Sequence, residues 1–379
     1  MLTPKQLEEY PKRLVEIYSE VENDIIVAMA KRISQMDFIP SAEWQYKKLI
    51  EMREVHEVIL KKLSEASGIR VHEIEKMMKD AGVKAVKTDL AIYRKAGITE
   101  LPLGANESLQ GILKQGIDST NGLFENLTQT TAENATMQYI NMLDKSWLQI
   151  NSGAFSPNEV IKTAIKELTN KGLATVKYAN NHTDYLDVSV RRATLTGINQ
   201  TALKMQEQLA DEMETDLVEV TAHAGARTGK GIANHSEWQG KVYSRSGKST
   251  KYPSLVEKTG YGTGPGLGGY NCRHSMFPFI EGDSEPAYTQ NQLDALNAPK
   301  YKYNGEKLTE YEATQKQREI ERNIRKYKRE SIAMKAAGLQ TETLYAESVL
   351  KHWQEEQIEF IKQTKLKRQY DRENVEGYK

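Results

Sequence analysis

The sequence predicts an α+β protein that is predominantly α-helical, with an N-terminal helical module, a small central α+β core carrying an irregular Gly/His-rich segment, and C-terminal helices. Three observations carry that prediction. Apolar residues recur every three or four positions through both ends of the chain, the spacing that lines one face of a helix. Between His223 and Pro278 this period stops, and His, Trp, Tyr, Gly and Asn accumulate instead. Two short runs, Thr175–Tyr178 and Leu217–Thr221, read as strands ahead of that segment.

Taken in order, Tyr10, Leu14, Ile17, Val21, Ile25, Met29 and Ile33 mark a first helix, stopped at Pro40. Ser41 can cap a second, with Trp44, Leu49, Met52, Val55 and Leu60 on its apolar face. Gly68 is expected to break the pattern before a third helix through Val71, Ile74, Met77, Met78, Val86, Leu90 and Tyr93, closed at Gly97-Ile98. Asn106 to about Asn151 leans helical. Ser156-Pro157-Asn158-Glu159 is a helix start, because serine caps, proline pre-sets the first φ and Glu159 completes a capping box. That helix ends near Gly172, and another runs from about Val188 to Met213. Thr309 and Glu312 form a second capping box, opening a highly charged helix, and a last helix carries Leu344, Leu350, Trp353, Phe360 and Ile361. The expected divisions are 1–100, an N-terminal helical module; 101–155, a helical connector; 156–300, the α+β core; and 301–379, charged C-terminal helices.

Composition excludes several classes. The chain has 379 residues, with 52 Lys+Arg against 52 Asp+Glu. Zero net charge argues against a surface devoted to nucleic acid or anionic lipid. One cysteine, Cys272, forms no internal disulfide and suits a reducing compartment. Met1–Gln6 lacks the pattern of a signal peptide, and no run of about 18 apolar residues could span a bilayer.

The letter motifs fail on context. Gly247-Lys248-Ser249 has the end of a phosphate loop, but Val242 stands where its first glycine is needed. Gly264-x-Gly266-x-x-Gly269 follows no hydrophobic strand and opens no helix, so it reads as an ordered loop needing glycine for positive φ or close backbone packing. His223, His235, Cys272 and His274 are four residues of zinc-ligating type in one segment, without a familiar zinc spacing. The preferred reading has no metal and no cofactor. His235 and His274 then bond to loop backbone, Cys272 is a small buried hydrophobe and Arg273 anchors a carboxylate. A zinc site and a Cys272–His274 nucleophilic pair are the alternatives, the latter needing a lowered thiol pKa and an orienting group. Arg322, Arg325, Lys326, Lys328 and Arg329 are candidate DNA contacts, but Glu319, Glu321 and Glu330 between them favour a solvated helix face.

The block His223-Ala-Gly-Ala-Arg227, then His235-Ser-Glu-Trp238-Gln-Gly240-Lys241-Val-Tyr243, resembles the minor capsid proteins of phages of Gram-positive bacteria, of the minor capsid protein 2 type. The likeness continues through Lys251-Tyr252-Pro253, Thr259–Gly264, Asn271-Cys272-Arg273-His274, Tyr311–Arg318 and Phe360–Arg372, and includes Leu14–Tyr18 and Glu22–Ile25. These proteins are distantly similar to the Mu F-like head-morphogenesis proteins. At Gly266–Tyr270 the chain departs from many relatives, which carry a second cysteine and a tryptophan there. The resemblance implies a virion component of the phage head, made in the host cytoplasm and placed inside the shell near the portal. Its implied partners are the portal protein and other head proteins, with packaged DNA a further candidate and no membrane. The motif it marks is His223, Arg227, His235, Trp238, Gly240, Lys241, Asn271, Cys272, Arg273 and His274, with no catalytic residue. Its rivals are a metal-dependent nuclease or toxin-like enzyme centred on His223, His235 and His274, and a DNA-contacting protein ejected with the genome.

Overall fold

The computed structural model describes residues 2–36, 41–87, 106–173, 184 and 186–378. Its architecture is a predominantly helical α+β fold, as expected. The helices are α1 (Pro4–Glu9), α2 (Lys12–Ser34), α3 (Ser41–Lys87), α4 (Glu107–Asn151), α5 (Pro157–Lys171) and α6 (Leu186–Glu212). After strand β1 (Leu217–Val220) come the single turn α7 (His235–Trp238), β2 (Val242–Ser244), α8 (Leu255–Thr259), β3 (Met276–Phe279) and α9 (Gln290–Asn297). Strands β4 (Tyr301–Tyr303) and β5 (Glu306–Leu308) precede the long α10 (Glu310–Ala336) and α11 (Gln340–Thr364).

Local signals start and stop several helices. Ser156 Oγ accepts from Glu159 N at 3.3 Å, while a Glu159 carboxylate oxygen accepts from Ser156 N at 3.3 Å. Gly172 then ends α5 at φ 62°. Thr309 and Glu312 exchange the same pair of bonds at the head of α10. Gly68, by contrast, does not break α3, which runs unbroken from Ser41 to Lys87. An interior glycine costs only about 1 kcal/mol relative to alanine. Here a continuous stripe of Val55, Ile59, Leu63, Ala66, Ile74, Met77, Met78 and Ala81 is buried on both sides of it. Of the residues expected on the apolar face, Trp44, Val55, Ile74, Met77 and Met78 are buried, whereas Leu49, Leu60 and Val71 are exposed. Pro40, Leu90, Tyr93, Gly97-Ile98 and the strand expected at Thr175–Tyr178 lie outside the described residues.

The chain forms two compact units, each assembled from three separate segments. The first comprises Met1–Lys12, Val71–Leu123 and Arg191–Gln315. Its sheet has the order β2-β1-β3, antiparallel throughout, with Val218 opposite Tyr243 on one side and Pro278 on the other. Proline is tolerated because β3 is an edge strand. All four residues of β1 are buried, as a central strand covered on both faces requires. Leu203 and Ala210 of α6 share a core with Val218, Val220, Trp238, Tyr243, Leu255, Leu267, Cys272 and Met276. Where a return to helix was expected after Pro286, a hairpin also forms: β4 and β5 pair across Asn304-Gly305, both at positive φ. That is the two-residue turn that Asn-Gly favours.

The second unit comprises Arg13–Arg70, Phe124–Val190 and Lys316–Lys379. Its elements are helical, and charged groups lie inside it. Arg329 donates to Glu22 at 2.7 Å, with both side chains almost wholly buried, and Glu22 also accepts from Leu173 N at 3.1 Å. A second pair, Arg325–Asp187 at 3.1 Å, is nearly as buried. Arg368 grips Glu373 with two bonds of 2.6 and 2.8 Å, and Gln357 donates to the same carboxylate. Among the described residues no helix is long and apolar enough to cross a membrane.

Candidate functional site

The irregular segment of the first unit closes on itself around three histidines, one cysteine and one tryptophan. β1 delivers the chain to His223, the turn α7 supplies His235 and Trp238, and the approach to β3 supplies Cys272 and His274. The His274 ring is the hub. Its centroid lies 4.3 Å from that of His223, 5.3 Å from His235 and 4.8 Å from Trp238. Cys272 Sγ is 3.6 Å from His274 Nδ1. One potential ligand atom from each of His235, Cys272 and His274 falls within 4.8 Å of the others.

Hydrogen bonds orient every ring. Gln239 Oε1 accepts the His223 backbone N–H at 3.0 Å and faces His274 Nε2 at 3.0 Å. An amide N–H only donates, so the Gln239 atom is oxygen and His274 Nε2 carries the proton. By the same logic His235 donates from Nε2 to the Pro265 carbonyl at 2.8 Å, and His223 from Nδ1 to the Ala224 carbonyl at 2.8 Å. Each imidazole therefore keeps one unprotonated nitrogen. Burial pushes His223 and His235 down to about 4, with Arg273 adding to the effect at His223, and holds His274 well below the ordinary histidine range. All three rings are neutral at pH 7. Burial raises the Cys272 thiol, the opposite of what activates a nucleophile.

The surrounding residues lock this cluster. Asn199 donates to the Cys272 and His274 carbonyls at 3.1 and 3.2 Å. Trp238 Nε1 donates to the Ile232 carbonyl at 3.0 Å, and Tyr243 Oη to the Trp238 carbonyl at 2.6 Å. Arg273 anchors a carboxylate as expected, and its partner is Glu8. Arg227 reaches the Tyr270 carbonyl. Gly240 has φ 68°, and a Cβ there would lie 2.4 Å from a Leu293 methyl. Lys241 Nζ donates to the Glu237 carbonyl at 2.7 Å, and Asn271, with φ 56°, is exposed. His235 bonds to loop backbone as expected, whereas His274 bonds to the Gln239 side chain. Gln239, Asn199 and Glu8 carried no local signal, because they are 35, 75 and 265 residues from the groups they hold.

The glycine loop packs backbone against backbone. A Cβ on Gly266 would lie 2.2 Å from the Gly260 carbonyl oxygen, and one on Gly269 2.1 Å from that of Gly264. Leu267 N donates to Thr259 O at 2.9 Å and Tyr270 N to Gly264 O at 2.8 Å, so the loop is tied where glycine is required. Gly269→Ala is expected to destabilise the protein by about 1–3 kcal/mol, as overpacking does. The fall in urea midpoint at unchanged slope measures it.

The C-terminal basic residues are not one solvated face, which corrects that expectation. Arg329 pairs with buried Glu22, Arg325 with Asp187, and Lys328 donates to the Glu373 carbonyl at 2.8 Å. Glu321 and Glu330 are buried as well, while Arg322 is exposed and Lys326 lies over the Tyr327 ring at 5.0 Å. The cause is the second unit's interior, which satisfies α10 with internal ion pairs.

Fold and site together define the class: a predominantly helical α+β protein whose irregular segment is closed around a buried His/Cys/Trp cluster. The chain belongs to the phage minor capsid protein 2 family, whose model matches residues 2–362. It is similar to a protein of Lactococcus phage LL-H named structural protein, 24% identical over 365 residues that cover 93% of this chain and 94% of that one. A structural protein of Lactococcus phage mv4 is 30% identical over 126 residues, covering 33% of this chain and 93% of the relative. No solved structure matches the chain.

Proposed function

We propose that this protein is a minor component of the phage head that acts in head morphogenesis inside the shell, beside the portal, without turnover. The observation that carries the reading is the family match over residues 2–362, which takes in both compact units. The cluster supports it chemically. Its rings are held by bonds to carbonyls and to Gln239, and its thiol is buried with a raised pKa, so the arrangement suits a clamp on the fold. The proposed partners are the portal protein and neighbouring head proteins. DNA is a lesser partner, since Arg325, Lys328 and Arg329 are engaged within the protein.

Co-expression with the portal protein of the same phage tests this. The expected result is a complex that survives gel filtration and moderate salt, together with defective heads when the gene is removed. Failure to bind portal, with virions assembling normally without the protein, would sink the proposal.

A further inference from the structure

We propose that His235, Cys272 and His274, completed by His223, form a structural zinc site. The first three place their ligand atoms within 4.8 Å of one another, although they come from α7 and from the approach to β3. The His223 ring lies against that of His274, centroids 4.3 Å apart, and its Nε2 is buried with no hydrogen-bond partner among the described residues. An orphaned acceptor inside a protein is destabilising, so its position beside three further ligands calls for a cation.

The hydrogen bonds add a second, independent reason. Zinc-binding histidines hold one ring nitrogen on an oxygen acceptor and turn the other to the metal. All three histidines already hold one ring nitrogen on an oxygen, which leaves the other without a proton: His223 through Ala224 O, His235 through Pro265 O and His274 through Gln239 Oε1. The tautomers are thus set for coordination, and His274 Nδ1 faces the cysteine sulfur. Three imidazoles and one thiolate make a borderline-soft, four-ligand set, which selects zinc over magnesium or calcium. With four protein ligands such a site is closed and acts on folding, joining the end of β1, α7 and the entry to β3. On binding, the Cys272 sulfur gives up its proton to solvent and bonds to the metal.

The test uses the full-length chain, purified, stripped with a strong chelator and titrated with zinc or cobalt(II) alone. The expected result is one metal per chain, a raised unfolding temperature, and a tetrahedral cobalt spectrum with a thiolate charge-transfer band. Cys272→Ser should abolish that band. Gln239→Ala, which releases His274, should weaken zinc binding roughly 10–100-fold. His352→Ala, at an exposed position of α11, should change nothing. The wild-type titration decides the matter even if a variant fails to fold. No binding, a site that survives Cys272→Ser unchanged, or an octahedral cobalt spectrum would overturn the proposal.

Discussion

Arg329→Met is expected to destabilise the helical unit by about 3–5 kcal/mol, because it strands a buried charge. Glu22 has no solvent exposure, and Arg329 donates to it at 2.7 Å from inside the same unit. Burial pushes the Glu22 carboxyl above its ordinary range, and the Arg329 charge opposes that push. Without the guanidinium the carboxylate must protonate or draw water inward, and either route lowers stability. Glu22→Leu in the same chain should recover much of the loss, since replacing both members of a buried pair is often close to neutral. Urea unfolding of the two single variants and the double variant measures the coupling. Equal, additive losses below about 1 kcal/mol would show that the pair is solvated, as exposed pairs are.

The second large effect depends on pH. Glu219 sits in the central strand with no exposure, and both its carboxylate oxygens accept from Ala287 N, at 2.9 and 3.1 Å. Burial raises its pKa to about 7, against the lowering effect of that amide. An acid whose folded pKa is raised binds more protons folded than unfolded between about 4.5 and 7. Stability from this group therefore falls as pH rises through that window and is level above it. A shift of this size corresponds to about 3 kcal/mol. Glu219→Gln should match the wild type near pH 4, below that window, and exceed its stability by up to about 3 kcal/mol at pH 8. Glu321, also raised to about 7 by burial, bends both curves alike, so the difference between the two proteins isolates Glu219. A difference independent of pH would contradict this assignment.

The buried roles of Glu22, Arg329 and Glu219 did not show in the sequence, and the reason is physical. Glu22 and Arg329 are 307 residues apart, and each occupies a helical position that charge alone assigns to solvent. Glu219 interrupts a run that reads as a strand without revealing that both its faces are covered. What could be read was local. The boxes at Ser156/Glu159 and Thr309/Glu312 depend on four consecutive residues, and both formed. The Asn304-Gly305 hairpin was equally local, but Tyr301–Tyr303 and Glu306–Leu308 are too short to show a strand period. Gly68 shows the converse, a local breaker overridden by the buried stripe on either side of it.

The cluster divides in the same way. The segment between His223 and His274 stood out by residue type, and Arg273 was expected to hold a carboxylate. Which carboxylate, and that Gln239 would orient both His223 and His274, follow only from tertiary contacts. Convergence of the four zinc-type residues depends on the turn at α7 meeting the approach to β3, and spacing along the chain does not encode that.

The most direct test of the proposed role is the position of this chain in a reconstruction of the virion or prohead without imposed symmetry. The expected result is density for both compact units on the inner side of the head at the portal vertex. Density confined to the outer shell or the tail, or absence of the protein from assembled particles, would contradict it.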